Sequence, residues 1–279
     1  MKYQFFKYQG AGNDFILFEP DTAPALTPEL TARLCNRHFG IGADGILLLS
    51  HSEKADWKMR ILNSDGSEAE MCGNGLRCTA RHIAERFAPE AEKFVIETML
   101  VLNPCIISRK HDGAVEEVEC LIGQPSFDTA RLAPGLPPEL LDAELERNGL
   151  EVRGTYVDMG NPHLVCFESP DPLEVEKTYG PTFEHHPFFP HRTNVEFVRV
   201  TGPQQLEVTV WERGAGITLA CGSGACASAA AAMRSGRVNA GQPVQLQLPG
   251  GLLTVTRRAD GLWLKGPAEL VFEGKIEIY

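Results

Sequence analysis

Met71-Cys72-Gly73-Asn74-Gly75 and Ala220-Cys221-Gly222-Ser223-Gly224 are two versions of one motif, a cysteine followed by Gly-x-Gly, with about half the chain between them. Each precedes a helix-like stretch. After Cys72, Asn74 is a candidate N-cap for a helix over Leu76 to Arg86, which ends before the break at Pro89. After Cys221, Ser223 is the candidate cap, Ala225 to Arg234 are mostly strong helix formers, and Gly236 stands where a C-terminal glycine belongs. A thiol at a helix N-terminus faces unpaired N–H groups and the positive end of the helix dipole. Both favour the thiolate and predict a pKa lowered from about 8.5 towards neutrality. The glycines let backbone approach a ligand, and the free N–H groups suit a carboxylate. Either cysteine alone also reads as a buried structural residue in a tight turn. The matched pair points instead to two thiols facing one substrate from opposite sides, as needed to take a proton from one face of a carbon and return it on the other.

Composition sets the outer limits. The 279 residues suggest about two domains. With 26 Lys+Arg against 37 Asp+Glu the net charge is -11, which argues against nucleic-acid or anionic-membrane partners. No basic N-terminal segment leads into an apolar run and no stretch approaches the ~18 apolar residues of a membrane span, so a soluble cytoplasmic protein is expected. The eight cysteines, at 35, 72, 78, 105, 120, 166, 221 and 226, are expected to be reduced thiols. A zinc site is not supported. Cys72-x5-Cys78 and Cys221-x4-Cys226 lack C-x2-C spacing, and H-x3-5-H spacing occurs only in one loop-like stretch, at His186/His191 and its neighbour His185/His191. Cys78 and Cys226 fall inside the expected helices, and Cys35, Cys105, Cys120 and Cys166 sit in apolar surroundings, so core packing is their expected role.

Short strand-like runs dominate the remainder. In the first half they lie at Tyr3 to Tyr8, Phe15 to Phe18, Ile46 to Leu49, Trp57 to Leu62, Phe94 to Glu97, Cys105 to Arg109 and Val115 to Ile122. Glu29 to Asn36 reads as a helix behind Thr27-Pro28. The second half repeats the layout: strands at Thr155 to Met159, His163 to Phe167, Asn194 to Val200 and Leu206 to Glu212 precede the second motif, and Val244 to Leu248, Leu252 to Thr256 and Leu262 to Lys265 follow it. The proline-rich connector from Arg131 to Gly149 is expected to carry a short helix at Glu139 to Arg147. The expected fold is therefore α+β, with two structurally similar domains, each an antiparallel-rich sheet or barrel wrapped around a central helix. Pseudo-two-fold symmetry would bring the thiols together in the cleft between them.

Polar clusters accompany the motifs. They are Gly10-Ala11-Gly12-Asn13-Asp14-Phe15, Asn63-Ser64-Asp65-Gly66-Ser67, Gly160-Asn161-Pro162-His163, Asn194, and Glu212-Arg213-Gly214-Ala215-Gly216. Each asparagine alone is an ordinary turn residue. Glu212-Arg213 beside a Gly-rich turn is the stronger signal, and together these groups supply donors, acceptors and both charges for an ammonium and a carboxylate.

On these residues the chain resembles, over essentially its whole length, the diaminopimelate epimerases, which are cofactor-independent amino-acid epimerases. The stretch from Glu212-Arg213-Gly214-Ala215-Gly216 to Ala220-Cys221-Gly222-Ser223-Gly224-Ala225-Cys226-Ala227 carries most of the resemblance. It implies interconversion of LL- and meso-2,6-diaminoheptanedioate in lysine and peptidoglycan biosynthesis, without cofactor or metal. It implies Cys72 and Cys221 as the acid/base thiols, with His163 and Glu212 at the reacting centre. Asn13, Asn63, Asn161, Asn194 and Arg213 would bind the substrate, and the turns Gly73-Asn74 and Gly222-Ser223 would hold the reacting carboxylate. Two α/β domains, residues 1–123 plus 267–279 and residues 124–266, would close on the ligand, usually in a homodimer.

The chain also departs from that pattern. Some relatives carry Gln where Gly45 follows Gly42-Ala43-Asp44, so one contact near the site would be missing or replaced, and Thr98-Met99-Leu100-Val101 lacks an expected glycine. The competing resemblance is to proline racemases and hydroxyproline epimerases, which place His after the first Cys-Gly. Asn74 and Glu212-Arg213 favour diaminopimelate. Phenazine-biosynthesis isomerases share that fold without the thiol pair, and a thiol-disulfide redox protein would need the Cys-x-x-Cys that is missing here. A non-catalytic diaminopimelate-binding protein is the remaining alternative. Two closely placed thiols would also make the enzyme reversibly sensitive to oxidation.

Overall fold

The computed structural model describes residues 1–99, 101–168 and 170–278. Leu100, and with it part of the Thr98–Val101 departure, lies outside the described residues, as does Tyr279 at the end of the expected first domain. The chain divides into two compact units, Met1–Leu121 with Lys265–Tyr279, and Ile122–Leu264.

In the first unit β1 (Lys2–Gly10) and β2 (Asn13–Phe18) form a hairpin, and α1 (Pro28–Cys35) follows. Thr27 caps α1 through its side chain and Pro28 occupies the first turn, as expected from Thr27-Pro28. Next come β3 (Gly45–Ser50), β4 (Trp57–Asn63), the two-residue β5 (Glu68–Ala69) and α2 (Gly73–Arg86). β6 (Lys93–Glu97), β7 (Leu102–Arg109) and β8 (Val115–Gly123) complete the run. β2 pairs with β3, and β4 with β6, in parallel; β1–β2, β3–β4, β4–β5, β6–β7 and β7–β8 are antiparallel. The apolar run Ile46–Leu49 reflects burial on both faces of β3, since a strand covered on both faces has no solvent side to alternate towards.

The second unit repeats this pairing. Its strands are β9 (Ala143–Arg147), β10 (Leu150–Asp158), β11 (Pro162–Cys166), β12 (Asn194–Gly202), β13 (Gln205–Glu212) and the short β14 (Gly216–Thr218). Short helical pieces α3 (Pro172–Glu174) and α4 (Gly180–Glu184) flank a π turn at Val175–Tyr179, and α5 is Gly222–Arg234. β15 (Val244–Leu248), β16 (Gly251–Arg258) and β17 (Gly261–Gly266) follow. β18 (Glu269–Glu277) belongs to the first unit, where it pairs with β1. β11–β12 and β13–β15 are parallel, and β10–β11, β12–β13, β13–β14 and β15–β16 antiparallel. The α+β fold, with one long helix packed against the strands of each unit, agrees with the sequence reading. Helix α5 is buried on nearly every face, and alanines at 225, 227 and 229–232 let strands approach it closely.

The structure departs from the sequence reading at three places in its elements. The segment Glu139 to Arg147 holds no helix: Ala143–Arg147 is β9, with Leu145 buried between exposed Glu144 and Glu146, and Asn148-Gly149 turn the chain into β10. Asn148 (φ 56) and Gly149 (φ 79) are both left-handed, the type I′ hairpin geometry that an Asn-Gly pair favours. The helical segment between β11 and β12 was not foreseen. The third departure, the position of the helix caps, bears on the site.

Candidate active site

In both motifs the cysteine itself is the cap. Cys72 precedes α2 in extended conformation (φ -144, ψ 109), and its Sγ accepts a hydrogen bond from Gly75 N at 3.4 Å. Cys221 repeats this before α5 (φ -118, ψ 118), accepting from Gly224 N at 3.4 Å. The helices therefore begin at Gly73 and Gly222, earlier than Asn74 and Ser223 would place them as caps. Those two side chains are released for other contacts. The sulfur accepts an N–H at the positive end of each helix, a setting that suits developing negative charge.

In the first unit Cys72 is half-buried and its thiol donates to Asn13 Oδ1 at 3.6 Å. The Asn74 side chain also donates to Asn13 Oδ1, at 3.3 Å. Asn13 Nδ2 is in turn held by Asp44 Oδ2 at 2.8 Å. Behind this loop, Arg37 donates to Asp14 and Asp44, and buried Lys7 pairs with Asp14 at 2.5 Å and bonds the Gly42 carbonyl. Arg77 lies fully buried beneath the motif, donating to Gly73 O at 3.1 Å and Asn74 Oδ1 at 2.8 Å. Asn63 ends β4 opposite Gly45, and its amide donates to Ser67 Oγ at 3.0 Å. At Gly45 a Cβ would come within 2.7 Å of Leu62 O, so this backbone has no room for a side chain at position 45.

In the second unit His163, on β11, is fully buried, with Nδ1 2.7 Å from Glu196 Oε1 and Nε2 3.0 Å from Asn161 Oδ1. Asn161 Nδ2 reaches Ser223 Oγ at 3.4 Å, and Ser223 Oγ is 3.5 Å from Cys221 Sγ. Asn194 uses both amide ends within the protein: Nδ2 donates to Pro162 O at 2.9 Å and Oδ1 accepts from Arg213 N at 2.9 Å. The Arg213 guanidinium is exposed and touches His191 O at 3.4 Å. Glu212 accepts from Thr218 Oγ1 at 2.5 Å. Its carboxyl pKa is raised, by lost hydration first and also by Glu196, against the Thr218 bond, His163 and the Cys221 thiol.

The Cys221 thiol is pushed up as well, first by burial and then by the carboxylates of Glu212 and Glu196. This corrects the expectation of a lowered value there. The helix N-terminus and Ser223 favour the thiolate, but desolvation and two acidic neighbours outweigh them.

Glu196, Arg77, Asp44 and Glu184 had no place in the sequence reading. Glu184, buried on α4, accepts from Trp211 Nε1 at 2.7 Å, Gly214 N at 3.0 Å and Arg192 at 3.2 Å, and so holds the Glu212–Gly214 turn. Only Asp44 stood in a noted motif; the other three are charged residues that sequence alone does not distinguish from surface charges. All eight cysteines are unbridged.

The fold is shared with several isomerase structures. A hydroxyproline epimerase from Agrobacterium vitis matches with TM-score 0.73 at 16% identity, covering 99% of this chain and 91% of that one. A phenazine biosynthesis protein of the PhzF family from Bacillus anthracis matches with TM-score 0.68 at 18% identity, covering 100% of both chains. At these identities the likenesses show a shared fold. Sequence goes further: the pattern of the family described as Diaminopimelate epimerase matches residues 5–123 and 155–271, and the chain belongs to that family. A diaminopimelate epimerase from Synechocystis sp. is 43% identical, with 100% of each chain covered, and one from Microcystis aeruginosa is 45% identical, with 98% of this chain and 99% of the relative covered.

Proposed function

We propose that the protein is a diaminopimelate epimerase, an isomerase that interconverts LL- and meso-2,6-diaminoheptanedioate on the route to lysine by a two-base thiol mechanism without cofactor. The observation that carries this reading is the recurrence of a helix capped by a cysteine sulfur in each unit, within a family of that name.

The chemistry follows from the acidity of the substrate. An amino-acid α-proton is very weakly acidic, so the carbanion must be stabilised by positioned N–H groups and charge in a site closed to water. The N–H groups at Gly73-Asn74 and Gly222-Ser223 would hold the reacting carboxylate as it gains enolate character. One cysteine takes the α-proton as thiolate while the other gives its thiol proton to the opposite face. The raised Cys221 thiol supports Cys221 as the group that enters protonated. Glu212 raises the proton affinity of that thiol, and His163 acts in turn on Glu212. Asn13, Asn63, Asn161, Asn194 and Arg213 would bind the distal, non-reacting end, whose binding energy favours closure. The two units would act as the closing domains, with a boundary near residues 123 and 267.

Reduced protein incubated with LL-diaminopimelate and no added cofactor tests this. Meso product from the wild type, and at least a thousandfold loss in both Cys72→Ser and Cys221→Ser, is the expected result. Inversion of proline instead would move the assignment to the proline-type enzymes, and wild-type turnover in either serine variant would remove the two-thiol mechanism. We further propose a cytoplasmic homodimer. Consecutive Leu270, Val271 and Phe272 on β18 are exposed, an apolar strip that a second copy would cover. Light scattering should give twice the chain mass, falling to the monomer in Phe272→Glu; a wild-type monomer would contradict it.

A further inference from the structure

Glu196 lies on β12 with its side chain fully buried. Its Oε1 stands 2.7 Å from His163 Nδ1, while Oε2 is buried without a hydrogen-bond partner among the described residues. A Cβ on Gly224 would come within 2.7 Å of Oε1 and 3.4 Å of Cys221 Sγ, so the carboxylate is pressed against the first turn of α5. On the far side of the imidazole, Nε2 meets Asn161 Oδ1 at 3.0 Å, and Asn161 Nδ2 reaches Ser223 Oγ at 3.4 Å. An imidazole with an oxygen acceptor at each nitrogen is matched by a proton on each nitrogen. A buried carboxylate also requires a counter-charge, and His163 is the group in contact with it.

We propose that Glu196 is a positioning residue: it holds His163 as a doubly protonated imidazolium, and that ring fixes the Asn161 amide with its oxygen towards His163 and its NH2 towards Ser223. The line Glu196, His163, Asn161, Ser223 thereby decides which end of the Asn161 amide a ligand meets at the head of α5. If His163 loses its second proton, Nδ1–H still faces position 196 but Nε2 becomes an acceptor, and the Asn161 amide must turn over to satisfy it. The titratable groups that act on the pair are Glu212 from β13, which interacts with both His163 and Glu196, and Cys166 from β11 and Cys221 from the head of α5, which interact with Glu196. This inference rests on the functional reading only where substrate affinity is measured.

The test is nitrogen NMR of the full-length reduced protein labelled in histidine, at pH 7, with His163 assigned by the His163→Gln variant. Both ring nitrogens of His163 should be protonated in the wild type. In Glu196→Gln, which keeps an acceptor for Nδ1–H but removes the charge, Nε2 should move to the position of an unprotonated nitrogen, and Glu196→Asp should restore the protonated form at least in part. In the same variants KM for LL-diaminopimelate should rise about tenfold in Glu196→Gln with a smaller change in kcat, the effect of one misdirected hydrogen bond. A neutral ring in the wild type overturns the inference, and so does a Glu196→Gln protein with unaltered ring protonation and KM. Should Glu196→Gln not fold, the wild-type ring alone decides. The expected ring states in a protein that does not invert diaminopimelate would uphold the inference and refute the functional reading.

Discussion

At Gly224 a single missing carbon accommodates the packing of the second motif. Gly224→Ala would drive a Cβ into Glu196 Oε1 at 2.7 Å, and the carboxylate, held by His163 and closed in by α5, has little room to withdraw. The variant should lose about 1–3 kcal/mol of stability, measured by urea unfolding of the reduced protein, and a loss below about 0.5 kcal/mol would show that the turn relaxes. Asp14 offers a pH test. Burial alone would raise its carboxyl, but Arg37 and Lys7 reverse that and hold it at about 2, against an ordinary value of 3.8. A folded pKa below the unfolded one means stability that is present above pH 3.8 and is lost as the pH falls through 3.8 towards about 2. The contribution is about 2 kcal/mol, so the stability difference between wild type and Asp14→Asn should shrink across that interval and stay constant from pH 5 to 7. A difference that does not change below pH 4 would contradict the assignment.

At the scale of the element, local chemistry decided what the sequence could reveal. Thr27-Pro28 announced α1 because capping and an N1 proline act within one turn. The helices α2 and α5 were legible for the same reason, yet their caps were displaced because sulfur is a less usual cap than Asn or Ser, and Asn74 and Ser223 are committed to Asn13 and Asn161. The composition of Glu139 to Arg147 suits a helix, whereas the alternation around Leu145 and the Asn148-Gly149 turn carry the information for β9. Gly149→Ala places a Cβ at φ 79 with no atom within 4 Å, so its effect is conformational alone. It should cost about 1 kcal/mol in chemical denaturation, and an unchanged midpoint would show that the hairpin does not depend on that conformation. Glu196 and Glu184 were illegible because their partners lie on strands or helices distant in sequence, and Arg77 because a charged side chain fully buried against its own helix's first turn looks in sequence like any helical surface arginine. No spacing rule encodes that they sit beneath a motif.

Across the whole molecule, one plan occurs twice: a hairpin, a parallel step, a second hairpin with a short extra strand, a cysteine-capped helix, another parallel step and a closing hairpin. The two copies surround their thiols differently. Arg77 lies under the first motif, whereas Glu196 and Glu212 border Cys221 and raise its thiol. In the mechanism proposed above, these differing surroundings would favour the protonated form of Cys221 before reaction in one direction. The decisive measurement is incubation of the reduced wild-type protein with LL-diaminopimelate in D2O, following stereochemistry and α-deuterium together. The account predicts meso product carrying one solvent deuterium at the inverted carbon, with little deuterium in the remaining LL substrate at early times, because the base that removes the proton is not the acid that returns one. Extensive deuterium in unconverted LL substrate would mean that a single group removes and returns the proton, and would contradict the two-thiol account.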